Sequence, residues 1–597
     1  MSRFQSIAIA GLIFASGGGT ALRGLEVSAT EAHRPPSEVW LKRTLSPELS
    51  LAWSDVERAS SDAAKLAAAG NRTAAMEGWL RVAQWARLLS SDHQQVTSRW
   101  VAAINSAALG HPNMPRNYTI HAQTLSGLVS EKFVAAVMQD PDFTSSFFQL
   151  LTPYDYLPEV LRILDQIYVS DPQAFEQYDQ LALAIALIHD VPPPPHWPHG
   201  QVSPELVSRV FPDAVEVFQF WVVAERSRAT LHRLTTLSAS ELKFVVDAAA
   251  PFAELKWVQK EQRYTFATLP RAYDAITYRM DRIERNQYNW LGSSYALPEI
   301  LAAGGICIDQ GYYASQVGKA IGIPTLLFRG AGLDGRDAWF GYLDAQQKWQ
   351  LDVGRYAEQK YISGIAFDPQ TWGEVNDYAL AFLAERFREL PQYRQSRAWL
   401  QIAREYLREN EVDKALAAAK KATDLEPRHV DAWDARVLAE RAGEVSATLR
   451  ENTLRRAARA LQRYPDLYAR FQREAILILR ETGQTSRADH EERQLARKFT
   501  GDRTDLAISQ AAAMLNRTMA DDDPATHLRV FESALRQFGV GAGMDAFNRL
   551  VRPFFEQAMT EGRRQDAKVV LILTRRLIPT PVGSQFFKEL EGLAARL

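Results

Sequence analysis

Gly304-Gly305-Ile306-Cys307-Ile308-Asp309-Gln310-Gly311-Tyr312-Tyr313 is the stretch on which the reading of the fold turns. Two glycines lead into the only cysteine of the chain. From Cys307 the residues suit a helix running to about Ile321, where Gly322-Ile323-Pro324 ends it and opens an extended run. A cysteine at a helix start meets unpaired N–H groups and the positive end of the macrodipole, and both favour a thiolate. The glycines let the backbone come close to a substrate carbonyl. The plainer alternative is a small buried apolar residue, a common role for a free cysteine.

Downstream lies the only convincing β region in the sequence. Thr325 to Phe328, Ala338 to Leu343 and Trp349 to Val353 read as strands. The last two are joined by Asp344-Ala345-Gln346-Gln347-Lys348, a loop of hairpin length. Upstream, from about Ser46 to Ala250, the chain reads almost wholly helical. Apolar residues recur at three- and four-residue steps in Ala52–Ala69, Gly78–Leu89, Val96–Leu109, Leu157–Val169 and Phe175–His189. Four consecutive prolines, Pro192 to Pro195, interrupt this region. His189, His196 and His199 lie close to them in sequence, but no fourth ligand stands at a metal-binding spacing. The segment is therefore read as a rigid crossover with Trp197 packed on the helices, and no metal site is expected.

After Leu390 the chain is helical again and repeats itself. Trp399, Tyr406, Ala415, Ala422 and Pro427 stand at the spacings of a tetratricopeptide repeat, and Trp433 restarts the pattern 34 positions after Trp399. The second unit closes at Pro465, 38 positions after Pro427, so it carries an insertion. Ala558, Gly562 and Ala567 mark a later hairpin. Such hairpins bury their apolar faces only by stacking on neighbours, which leaves a surface for a protein or peptide partner.

Composition narrows the function. The 597 residues carry 69 Lys+Arg against 71 Asp+Glu, a net charge of −2, so no basic excess exists to bind a nucleic-acid backbone. One cysteine excludes an intrachain disulfide and any Cys-based zinc or iron–sulfur site. No phosphate or calcium loop occurs, and no cofactor is expected. Arg3, the apolar run Ile7–Ala15 and small residues to Ala21 fit a secretory signal over residues 1–21, hence an exported protein, periplasmic or extracellular. The run is too short for a transmembrane helix of ~20 residues, so no stable membrane insertion is expected.

Gly305-Ile306-Cys307, the helix, Gly322-Ile323-Pro324, Ala338-Trp339 and Trp349-Gln350-Leu351-Asp352 together resemble the transglutaminase-like domain of the papain-type superfamily. The family pattern runs G-x-C, G-I-P, H-A-W, W-x-x-D. The flanking crossover and repeats are similar to large exported bacterial proteins built round such a domain. The resemblance implies a nucleophile at Cys307 and an orienting acid at Asp352, with Gly305 and Trp339 as binding positions. The family histidine is replaced by Asp337, and no histidine occurs between His232 and His429. A carboxylate of ordinary pKa ~3.9 is a poor acceptor for a thiol of ~8.5, and its charge raises that thiol further. Asp337 is also expected to approach Asp352 across the hairpin, with Arg329, Arg336 or Arg355 as neutralising partners.

The expected fold is mostly α. It comprises a helical domain over 22–250, a small α+β transglutaminase-like core with an antiparallel sheet over 251–385, tetratricopeptide-like repeats over 386–500 and C-terminal helical hairpins over 501–597. The expected function is that of a catalytically degenerate binding or scaffold protein. The alternative is an active thiol peptidase, amidase or acyltransferase using Cys307.

Overall fold

The computed structural model describes residues 26–37, 53–106, 123–356, 363–519 and 524–597; the expected signal segment lies outside them. The described chain is mostly helical with one small antiparallel sheet set among the helices.

Trp53–Ala69 and Thr73–Ser90 form the first long helical pair. Their aromatic residues anchor the N-terminal core: Trp85 stacks on Phe147 at 4.9 Å and donates its indole N–H to Thr144 Oγ1 at 2.8 Å. Leu157–Ser170 follows as read. The helix expected over Phe175–His189 is instead two, Pro172–Gln177 and Asp179–His189, broken at Tyr178. The Asp171 side chain caps the first piece, and the N–H of Tyr178 closes its end onto Ala174 and Phe175. The expected interruption at the proline run is present, and the non-helical stretch extends over 190–213. Trp197 is buried there, edge-on to Phe211 at 5.8 Å and to Trp372 at 6.1 Å.

The sheet has strands β1 (Thr325–Ala331), β2 (Arg336–Leu343), β3 (Trp349–Val353), β4 (Ile365–Phe367) and β5 (Glu374–Asn376), in the order β3-β2-β1-β4-β5. β1 and β2 pair from Thr325 opposite Tyr342 to Ala331 opposite Arg336. β3 sets Val353 opposite Phe340 and Gln350 opposite Tyr342, with an irregular step between. The helix Cys307–Ala320 packs on β1 and β2. Gly311 makes this close approach possible, since a Cβ there would lie 2.7 Å from Leu327 Cδ1. The opposite side of the helix meets Ala239–Val246, Phe252–Glu261 and Arg271–Asp274. One apolar core therefore runs from Ala32 to Ala419, across the boundary expected at 250/251.

Helices then succeed one another in antiparallel pairs: Pro391–Arg408 with Val412–Leu425, Val430–Ala442 with Ala447–Ala460, and Pro465–Glu481 with Thr485–Lys498. Buried alanines, among them Ala415, Ala422 and Ala432, let them approach. The array starts on the N-terminal helices, where Glu405 accepts from Ser61, Arg87 and Arg408. It ends on the β1–β2 turn. There the N–H of Met544 donates to Gly332 O at 2.9 Å and that of Phe586 to Asp334 O at 2.9 Å. Gly543, at φ +47°, is required at this seam, because a Cβ would meet Leu333 O at 2.4 Å. Array and core together line a cavity of about 2800 Å³.

Lys319 is buried to 3% exposure near the end of the cysteine helix. Its ammonium donates to Phe244 O at 2.7 Å, Thr325 O at 2.8 Å and Asp247 Oδ1 at 2.5 Å. Lys319→Met keeps the volume but leaves a buried carboxylate and two carbonyls without their donor, which should cost about 3–5 kcal/mol. Urea unfolding of the two proteins measures it, and a loss under ~1 kcal/mol would contradict this role.

Candidate functional site

The cysteine helix is held at its start by Asp309. Its Oδ2 accepts from the N–H of Ile306 at 2.9 Å and from Arg282 Nη1 at 2.8 Å, while Oδ1 accepts from Tyr295 O–H at 2.9 Å. Since Tyr295 donates to Asp309, its oxygen receives the Nε2–H of His199 at 2.9 Å; His199 Nδ1 accepts from the N–H of Gln201 at 3.3 Å. Burial pushes the imidazole down to about 3, so His199 stays neutral. The histidine of the proline segment thus supports the helix cap and makes no bond to the thiol. His189 bonds Val246 O, His196 packs on Phe367 and His232 bonds Leu343 O, each at a separate place. The sequence reading did not single out Asp309, Tyr295 and Arg282. The spacing of Asp309 after the cap is a helix-start signal, but Tyr295 and Arg282 join it only through the fold.

Cys307 is the first residue of the helix and turns part of its surface to the large cavity. Its neighbour on β2 is Asp337, which pairs with Gly330 across the strands and is 5% exposed. The thiol and the Asp337 carboxyl lie close enough for each to shift the other. Burial pushes the Cys307 thiol well above its usual range, and the Asp337 charge adds to this; the N–H of Ala338 opposes it. Burial likewise raises Asp337 to about 6, against the pull of the Ala338 amide, the thiol and the Tyr356 amide. Oδ2 of Asp337 has no hydrogen-bond partner among the described residues.

Asp352 does not join this pair. The β2–β3 register places Tyr356, not Asp352, beside Asp337, because Val353 already lies opposite Phe340. The Asp352 side chain is 67% exposed and forms an ion pair with Arg355 at 2.5 Å. The expected meeting of two carboxylates across the hairpin is thereby corrected. Of the expected arginine partners, Arg355 does pair with Asp352, while Arg336 pairs with Glu589 and Arg329 with Glu374 at 3.8 Å. Trp339 is fully buried, donates its indole N–H to Leu351 O at 2.8 Å and stacks on Phe328. It supports the sheet and does not line the cavity. Gly305 gives its N–H to Thr277 O and its carbonyl to the N–H of Arg279, so both groups are satisfied within the chain.

No model of a known protein family matches the chain, and no curated protein matches its sequence. Fold and site therefore define the protein by class: a mainly helical chain with a small antiparallel sheet and a buried thiol–carboxylate pair facing a large cavity. No helix among the described residues is long and apolar enough to cross a membrane.

The raised carboxyl makes folding stability fall as pH rises. Asp337 goes from an ordinary 3.8 to about 6 on folding, so the native state holds the proton more tightly than the unfolded chain. The associated stability is full below pH ~4 and is lost as pH passes through ~6; two pKa units correspond to about 3 kcal/mol. Asp337→Asn removes this dependence. Relative to wild type, its unfolding free energy should improve by about 2–3 kcal/mol between pH ~4 and ~7.5. Chemical denaturation at both pH values checks it, and parallel profiles would refute the assignment.

Proposed function

We propose that this chain is an exported binding or scaffold protein with a transglutaminase-like centre that is catalytically idle, and with tetratricopeptide-like helical pairs that hold a protein or peptide partner. The observation that carries the reading is Asp337 beside Cys307. Thiol catalysis needs a base that takes the sulfur proton and later returns it to the leaving group. Asp337 is a weaker base than the thiolate it would have to create, and its charge opposes that thiolate. The proton therefore stays on sulfur. Among the described residues no histidine hydrogen-bonds the thiol, and the family acid position, Asp352, is bound to Arg355. The paired helices around the cavity support the partner-binding half of the proposal.

The alternative of a thiol hydrolase or acyltransferase draws on one observation, the placement of Cys307 at a helix start on the cavity wall. Iodoacetamide alkylation of the single thiol separates the two. In the wild type the apparent pKa should lie above ~8.5. Asp337→His, which removes the repulsion and adds a base, should lower it by one unit or more, about tenfold in rate near neutral pH. A wild-type value below ~7 would favour the enzyme.

A further inference from the structure

We propose that Asp155 and Asp190 form a proton-held latch, which fastens the turn between β4 and β5 to the N-terminal helices and releases it as the surroundings become alkaline. The latch involves neither Cys307 nor Asp337.

Asp155 and Asp190 are each 3% exposed. Asp190 follows the last residue of the helix Asp179–His189, and its Oδ2 accepts the N–H of Tyr156 at 2.6 Å. Asp155 directly precedes Tyr156, so the two carboxyls come together, close enough for the charge of one to act on the other. Gln370, in the β4–β5 turn, closes the junction. Its Nε2 donates to Asp155 Oδ1 at 3.0 Å, to Oδ2 at 3.1 Å and to Leu150 O at 2.8 Å. The N–H of Thr152 also bonds Asp155 Oδ2. Just beyond Gln370, Gly373 and Glu374 line the large cavity, where Glu374 pairs with Arg329 at 3.8 Å. The junction therefore ties a piece of the cavity wall to the first helices.

Neither carboxyl forms an ion pair among the described residues. The charged groups that face them are acids: Asp368 of the β4–β5 turn faces Asp155, and Glu159 of the helix Leu157–Ser170 faces Asp190. Lys243 is bonded to Asp368 at 2.7 Å. His189 bonds Val246 O and is kept neutral by burial, which pushes it down to about 4. The helix His93–Ser106 brings Thr97, which bonds the Tyr156 hydroxyl. Two neighbouring buried carboxyls without a cation resist double ionisation. Burial raises Asp155 to about 7, and it raises Asp190 well above the usual carboxylate range, with the charge of Asp155 adding to the second effect. The helix ends set the order. Asp155 stands at the positive end of Leu157–Ser170, which favours a charge, and Asp190 at the negative end of Asp179–His189, which opposes one. Asp155 gives up its proton first, and Asp190 keeps its own past neutrality. Opening the junction lets water in, and both groups then return to an ordinary 3.8. The closed state holds the protons more tightly than the open one, so its stability is full at acid pH and is lost as pH rises.

Hydrogen–deuterium exchange of the full chain between pH ~7 and ~8.5 tests the latch. With intrinsic exchange rates divided out, opening of segments 152–157 and 368–373 should rise about tenfold per pH unit, because each opening releases the Asp190 proton. Asp337 and Asp377, both raised to about 6, are already ionised in this range and add little. The helix Pro465–Glu481 should show no such rise. Asp190→Asn should reduce the rise to about twofold per pH unit. Infrared spectra at pH ~8 should contain a protonated carboxyl band that loses intensity in Asp190→Asn. Opening in the wild type that does not change with pH, or that rises equally in Pro465–Glu481, would overturn the latch. A full tenfold rise in Asp190→Asn, or an infrared band that this substitution leaves unchanged, would overturn it too. The wild-type exchange profile decides on its own, so a poorly folded variant does not rescue the proposal.

Discussion

The helix Cys307–Ala320 is enclosed on nearly every side, and from Ile308 to Ala320 each residue is buried. A helix in that position has little water to satisfy its polar side chains, so most find partners in the surrounding chain, Gln310 Oε1 being an exception. Asp309 reaches back to Arg282 and Tyr295, and Gln310 Nε2 donates to Ile276 O. Ser315 exchanges bonds with Thr325, while Gln316 Oε1 accepts from the N–H groups of Ala249 and Ala250. Lys319 closes the series on Phe244 and Asp247. These partners are spread over residues 244–325, and together they fix the central fold around one element. The helical region before the sheet shares one apolar core with it.

The same constraint applies to Asp337. Along the cysteine helix, buried charges are met by opposite charges or by several hydrogen bonds. Asp337 lies on the neighbouring strand, 5% exposed, with one oxygen unmet. Gln310 Oε1 and Glu440 Oε2 are likewise buried without a partner among the described residues.

What was legible in the sequence follows local signals. β1, β2 and β3 were readable because their apolar runs are long and the loop Asp344–Lys348 is short. β4 and β5 are three residues each, too short for any alternation, and the sheet gained them only by pairing across Arg329 and Ile365. The break at Tyr178 was hidden because apolar residues continue on both sides of it. Within the site, Asp337 could be singled out from a four-residue pattern. Asp352 could not be placed, because its position depends on a register step that no hairpin spacing reveals. The link from His199 to Asp309 was invisible for a related reason: its members are brought together by tertiary structure, with 96 positions separating His199 from Tyr295.

The seam at the end of the helical array has a mechanical meaning. Arg336, which Glu589 and Asn548 grip from two C-terminal helical segments, is the residue immediately before Asp337 on the same strand. The backbone of Arg336 is held as well, by Gln585. The last helices are thereby fastened one peptide unit away from Asp337, so the end of the array and the strand that carries the carboxylate are joined at one residue.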